Sequence, residues 1–140
     1  MSVAGILGSF IRSRMPMAID HELIVPVPLH RDRLRWRGFN QSAVLARAVG
    51  RAAHRPVDVM ALARTRATVP QVGLDIADRQ RNVRGAFSVR RPRAVQDRTV
   101  LLVDDVMTTG ATADACARAL HRAGASRVDV LLLARAIDHV

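Results

Sequence analysis

The chain of 140 residues has no lysine and no tyrosine, one tryptophan, three phenylalanines and one cysteine. A lone cysteine, Cys116, cannot close an internal disulfide and excludes a multi-cysteine zinc site. It reads as a small core residue on a helix, and the chain as one at home in a reducing cytoplasm. So few aromatic rings leave little surface for stacking bases. No apolar run approaches the roughly 20 residues that span a membrane. The opening "MSVAGILGSFIRSRM" has neither a basic segment ahead of its apolar run nor a cleavage site, so no signal peptide is expected. Gly-Lys-Ser/Thr is missing, which removes support for a Walker-type ATPase.

Without lysine, all 22 basic residues are arginine, and the formal net charge is +10. The charge is uneven. Residues 31 to 93 hold 15 Arg against Asp32, Asp58, Asp75 and Asp78, a net of +11; the remainder holds seven Arg and eight acids, a net of −1. A polyanion or a heavily phosphorylated small ligand suits the basic stretch. An Ala- and Arg-rich, Lys-free composition of the kind a GC-rich genome writes accounts for part of the excess.

What is present is a globular pattern: 49% hydrophobic residues in a length that fits one domain, 1 to 140. "LIVPV" (23 to 27) reads as a buried strand. "QSAVLARAVGRAA" (41 to 53) has apolar positions at helical spacing, with Asn40 as N-cap. "VDVMAL" (57 to 62) and "AFSV" (86 to 89) read as strands, and "RRPRAVQD" as a loop. "TVLLV" (99 to 103) is a strong strand ending at Asp104 and Asp105. A helix follows from about Thr112, with Gly124 as its stop, and "RVDVLLLAR" (127 to 135) is a last strand. Strands apolar on both faces that alternate with helices predict an α/β fold, a mostly parallel central sheet flanked by helices. Residues 63 to 85, polar and without a period, are expected to form a mobile loop.

The chemistry concentrates in "VLLVDDVMTTGAT" (100 to 112). Ligands of parallel sheets bind beyond the carboxyl ends of the strands. Asp104 and Asp105 accept hydrogen bonds from hydroxyls. The turn Met107-Thr108-Thr109-Gly110-Ala111-Thr112 gathers backbone N–H groups at a helix N-terminus, where the dipole favours an anion. A ligand with vicinal hydroxyls near a phosphate satisfies both halves, and ribose 5-phosphate is such a molecule.

This stretch resembles the phosphoribosyl pyrophosphate (PRPP) motif of type I phosphoribosyltransferases: apolar strand, Asp-Asp, then Thr-Thr-Gly-x-Thr. "VPVPLHRDRLRWRGFNQSAVLAR" (25 to 47) and "RTRATVPQVGLDIADRQRNVRGAF" (64 to 87) resemble the ComF/GntX-like branch, whose members are competence-protein or amidophosphoribosyltransferase-like. Many members carry an N-terminal cysteine-rich zinc ribbon. Here about 22 residues precede the first strand and none is cysteine, so the chain resembles the transferase core alone.

The resemblance implies the type I phosphoribosyltransferase fold. It implies Mg²⁺-dependent transfer of phosphoribosyl from PRPP to a nitrogenous acceptor, with no protein metal cluster, because the ion is held mainly by PRPP and water. It places a pyrophosphate loop at "PLHRDRLR", with His30, Arg31, Arg33 and Arg35; forked arginines suit pyrophosphate oxygens. It places a catalytic loop at 64 to 84, with Arg64, Gln71, Arg79, Arg81 and Asn82 as its polar positions. Asp104, Asp105, Arg79 and Arg81 are then the catalytic candidates. The expected partners are PRPP and an acceptor, with a homodimer as a further candidate. A second reading is a PRPP-fold protein in DNA uptake or handling, with nucleic acid or a competence protein as partner.

Overall fold

The computed structural model describes residues 19–29, 40–65, 75, 77, 85–107 and 110–135, without the side chains of 106, 107 and 133–135. Among them the elements run β1 (Leu23–Pro26), α1 (Gln41–Ala53), β2 (Leu62–Arg64), β3 (Phe87–Val89), α2 (Pro92–Val95), β4 (Thr99–Met107), α3 (Ala111–Arg122) and β5 (Arg127–Arg135). β1, β4 and β5 form a parallel sheet in the order β1-β4-β5, with Leu23 beside Val100 and Thr99 beside Arg127.

β4 lies at the centre of this sheet and is buried from Val100 to Val103. Its alternate residues feed two cores, as the two-residue period of a strand requires. Val100 and Leu102 pack with Cys116, Ala119 and Leu120 of α3, and with Phe87 and Val95. Leu101 and Val103 pack with Ile24 and with Leu45, Ala46 and Val49 of α1. Burying one such aliphatic side chain contributes about 1.5 to 3 kcal/mol. Covering both faces explains why the strand reads as an unbroken apolar run.

α1 begins as expected. Asn40 is its N-cap, with φ −100°, and its side chain accepts from the Ser42 amide at 3.0 Å. The helix closes on His54 in the left-handed region, φ 54°. Gly50 lets the departing chain fold back onto the helix: a Cβ there would stand 2.3 Å from Val57 Cγ2 and 3.0 Å from the Arg55 carbonyl. The returning segment reaches the open edge of β1, where Ile24 N–H donates to the Pro56 carbonyl (2.9 Å) and Asp58 N–H to the Ile24 carbonyl (3.0 Å).

Two sequence expectations change, and one strand pairing is added to them. The strand over 57 to 62 shrinks to one parallel bridge, Val57 beside Ile24, before β2 starts at Leu62. The Asp58 carboxylate accepts from the Met60 amide (2.9 Å) and turns the chain away. β2 pairs with β3 in an antiparallel ladder, so the 66 to 84 connection leaves and returns through one ribbon; Thr65 N–H donates to the Ala86 carbonyl at 2.7 Å. The "RRPRAVQD" loop contains α2, with proline in its first turn and fully buried Val95 anchoring it. The strands at 23–26 and 127–135 and the helices at 41–53 and 111–122 lie where the pattern put them, to within a residue or two.

Candidate active site

Strand β4 does not stop at the acids. It runs to Met107, because β5 continues alongside and pairs Asp104 with Leu132 and Val106 with Ala134. Asp104 and Asp105 therefore stand inside the carboxyl end of a strand, and successive residues of a strand face opposite ways. Their environments differ accordingly: Asp104 is 8% exposed, whereas Asp105 is half-buried.

The Asp104 carboxylate is held from two sides. Its Oδ1 accepts from the Ser42 hydroxyl at 3.0 Å and from the Asp105 amide at 2.9 Å. Burial first, and then the adjacent Asp105 carboxyl, raise its pKa to about 6, against the pull of the Ser42 hydroxyl and the Asp105 amide in the other direction. Such a carboxyl changes charge close to neutral pH, which is a common property of functional acids. Behind it, Cys116 is fully buried. Burial, then the Asp104 charge, pushes its thiol up, so it remains a protonated core group.

Ser42 belongs to a chain of hydrogen bonds that ties three elements at the sheet edge. Asn40 Nδ2 donates to the Val27 carbonyl (3.1 Å), Asn40 Oδ1 accepts from the Ser42 amide (3.0 Å), and the Ser42 hydroxyl donates to Asp104. Val27 N–H in turn donates to the Val103 carbonyl at 2.9 Å. The helix cap of α1 and the acid of β4 are thus fixed relative to one another. Sequence reasoning gave Asn40 a capping role and missed Ser42. The only available signal was a hydroxyl in the first turn of a helix that follows the first strand.

Across the edge, Gly110 is the N-cap of α3 with φ 81°. That conformation favours glycine and turns the chain from the strand into the helix within a few residues. The Gly110-Ala111-Thr112 end of the expected anion turn therefore sits at the same sheet edge as the acids. Met107 closes β4, and Thr108 and Thr109 lie outside the described residues. His30, Arg31, Arg33, Arg35, Gln71, Arg79, Arg81 and Asn82 also lie outside them. Arg64, at the end of β2, has its guanidinium 5.1 Å from the centre of the Phe87 ring. Among the described residues no group of three or more His, Cys, Asp or Glu side chains could hold a metal ion, and no helix is long and apolar enough to cross a membrane.

A sequence profile of the phosphoribosyl transferase domain matches residues 40–139, which include this acid pair and this turn. The chain belongs to the phosphoribosyltransferase family. Within that family it is of the ComF-like type I branch. It is 44% identical over 114 residues to "DNA utilization protein YhgH" of Escherichia coli K12, a match covering 81% of this chain and 49% of that protein. It is 37% identical over 116 residues to "Competence protein F" of Haemophilus influenzae, covering 82% and 51%. It is 30% identical over 107 residues to "Competence protein ComFC" of Bacillus subtilis, covering 74% and 40%. The chain thus spans about half the length of the first two relatives and two-fifths of the third. Among solved structures, glutamine PRPP amidotransferase from B. subtilis, complexed with ADP and GMP, superposes with a TM-score of 0.65 at 23% identity, over 97% of this chain and 27% of that one. A purine phosphoribosyltransferase from Pyrococcus horikoshii gives 0.56 at 15% identity, over 94% and 70%. These two likenesses carry the fold: an α/β architecture with a parallel sheet.

Proposed function

We propose that this phosphoribosyltransferase-fold chain binds PRPP at the carboxyl edge of β4 and transfers its phosphoribosyl group to a nitrogenous acceptor, releasing pyrophosphate. One observation carries the reading: two carboxylates in different environments stand at the end of a strand, at the same sheet edge as a left-handed glycine that caps a helix N-terminus. Asp105, half-buried, accepts from the ribose hydroxyls. Asp104 is fixed by Ser42 and braces Asp105 from below. The 5-phosphate lies on the turn from Thr108 to Thr112, where backbone N–H groups and the α3 dipole favour it.

In the reaction the C1–O bond to pyrophosphate breaks, a bond from C1 to the acceptor nitrogen forms, and the acceptor gives up a proton. The protein's task is to orient the acceptor and stabilise the leaving group. The family resemblance assigns the second role to His30, Arg31, Arg33, Arg79 and Arg81. The β2–β3 ribbon brings both ends of the 66 to 84 connection, which carries Arg79 and Arg81, to one place. Mg²⁺, when bound, supplies charge neutralisation on the pyrophosphate; two adjacent carboxylates with no third ligand among the described residues fit an ion held mainly by PRPP and water.

The names of the curated relatives favour a second reading, a PRPP-fold protein that handles DNA with no transfer chemistry. A screen of nucleobases and amines for PRPP-dependent pyrophosphate release separates the two. The transferase reading expects release with at least one acceptor class and its loss in Asp105→Asn. Binding of PRPP with no release across the screen favours the second.

A further inference from the structure

The far end of α1 carries a feature that the PRPP site does not use. Arg47, Gly50, Arg51, His54, Arg55 and Val57 line a shallow groove of about 400 Å³, broadly open to solvent. Arg47, Arg51 and Arg55 recur every four residues. On a helix that spacing puts 47 and 51 on one face, about 6 Å apart along the axis. Gly50 brings Arg55 to the same groove, because its missing side chain lets the 55–57 segment lie against the helix. The Arg55 amide donates back to the Gly50 carbonyl at 3.0 Å.

All three arginines are exposed. None of the ion pairs found among the described residues involves them; Arg118 pairs with Asp114, Arg91 with Asp58, and Arg127 and His21 with Asp20 and Asp129. The negative helix terminus accounts for one cation in the last turn, Arg51. It does not account for three arginines lining one groove with a histidine beside them. Nor does this cluster serve PRPP. Ser42 fixes the N-terminus of α1 at the acid pair, and the helix rise carries Arg47 about 8 Å and Arg51 about 14 Å away from Ser42 along the axis.

We propose that this groove is a second anion site, which takes the sugar-phosphate backbone of a nucleic acid strand. An open groove lined by three exposed arginines suits a polymer that carries a negative charge on every repeating unit. Guanidinium forks match phosphate oxygens. The groove has no Phe, Tyr or Trp in its lining, so the contact is mainly to the backbone and carries no base sequence. The site is independent of the transfer chemistry and holds under either reading of it.

The test uses the whole chain and a labelled single-stranded oligonucleotide of mixed sequence, with anisotropy titrations across a salt series. The comparison is with the triple variant Arg47→Ala, Arg51→Ala, Arg55→Ala. Arg47 and Arg51 are exposed on the helix and Arg55 is exposed just beyond it, so alanine at all three preserves the fold, which thermal melting checks. At about 0.7 per phosphate contact, losing three contacts makes the slope of log affinity against log salt shallower by about 2. A tenfold rise in salt then costs the unmodified chain roughly a hundredfold more affinity than the variant. Arg51→Glu alone gives a smaller loss in the same direction, and excess PRPP does not displace the strand. Equal slopes overturn the site while leaving DNA binding elsewhere on the chain intact. Displacement by PRPP overturns it too, since the strand would then sit at the acid pair. No binding to any oligonucleotide removes both the site and the DNA-handling reading. Binding to phosphatidylglycerol vesicles but not to oligonucleotides assigns the row to a membrane surface and also overturns it.

Discussion

Asp104→Asn is expected to stabilise the fold at pH 8 by about 2 to 3 kcal/mol, at about 1.36 kcal/mol per unit of pKa shift. The Asp104 carboxyl is nearly inaccessible and its pKa is raised to about 6, burial being the first cause and the Asp105 carboxyl the second. At pH 8 the folded protein therefore bears a charge that it would shed if it could. Both of its donors, the Ser42 hydroxyl and the Asp105 amide, bond to Oδ1, which asparagine retains. The new Nδ2 group replaces a like charge beside Asp105 with a donor.

The pH dependence follows from linkage. A carboxyl whose folded pKa exceeds its unfolded one binds its proton more tightly when folded. Its contribution to stability is thus gained as pH falls from above about 6 toward roughly 4, and is complete below the unfolded value. The unmodified chain should become more stable over that interval relative to the variant. Urea unfolding of both proteins at pH 8 and pH 4 checks this: a wide gap at pH 8 that closes at pH 4 is the expected outcome. A variant less stable than the parent at both values would mean that the ionised carboxylate is a net structural asset. Functional residues often stand at such a cost to stability.

The second large effect separates the two ends of the sugar phosphate. Asp105→Asn keeps the shape of the half-buried acid and removes the charge that accepts from ribose hydroxyls. A hydrogen bond to a charged group contributes roughly 1.5 to 3 kcal/mol, so PRPP affinity should fall on the order of tenfold to a hundredfold. Sulfate, which meets only the anion turn, should bind nearly as before. Gly110→Val should do the reverse. At φ 81° a β-branched side chain is strained and stands where the backbone receives the anion, so sulfate binding is lost. Parallel titrations of the two variants with PRPP and with sulfate decide the matter. Unchanged PRPP affinity in Asp105→Asn would make the acid pair structural.

The sheet and its covering helices were legible because the signal was local and strong. "TVLLV" and "VLLLA" are apolar on both faces, and α1 opens with a capping Asn40. Other features depended on contacts far apart in sequence. β4 extends through its two acids only because β5 runs beside it, and no local propensity puts consecutive aspartates in a strand. The antiparallel β2–β3 ribbon joins segments more than twenty residues apart. α2 is too short to leave a period. Ser42 and Asp104 are 62 residues apart, so the bracing of the acid could not be seen from either end. The basic groove was half visible, as charge in residues 31 to 93. Its shape depends on Gly50 and the return of Val57, and neither signals that role in the sequence.

The account rests on PRPP binding at the β4 edge. Titration calorimetry of the chain with PRPP in the presence of Mg²⁺ tests it most directly, with ribose 5-phosphate and pyrophosphate as partial ligands. The account predicts one saturable site for PRPP, weaker binding of each half, and affinity for PRPP and for ribose 5-phosphate that falls in Asp105→Asn. The absence of any heat of binding at saturating PRPP, with no accompanying rise in melting temperature, would contradict it.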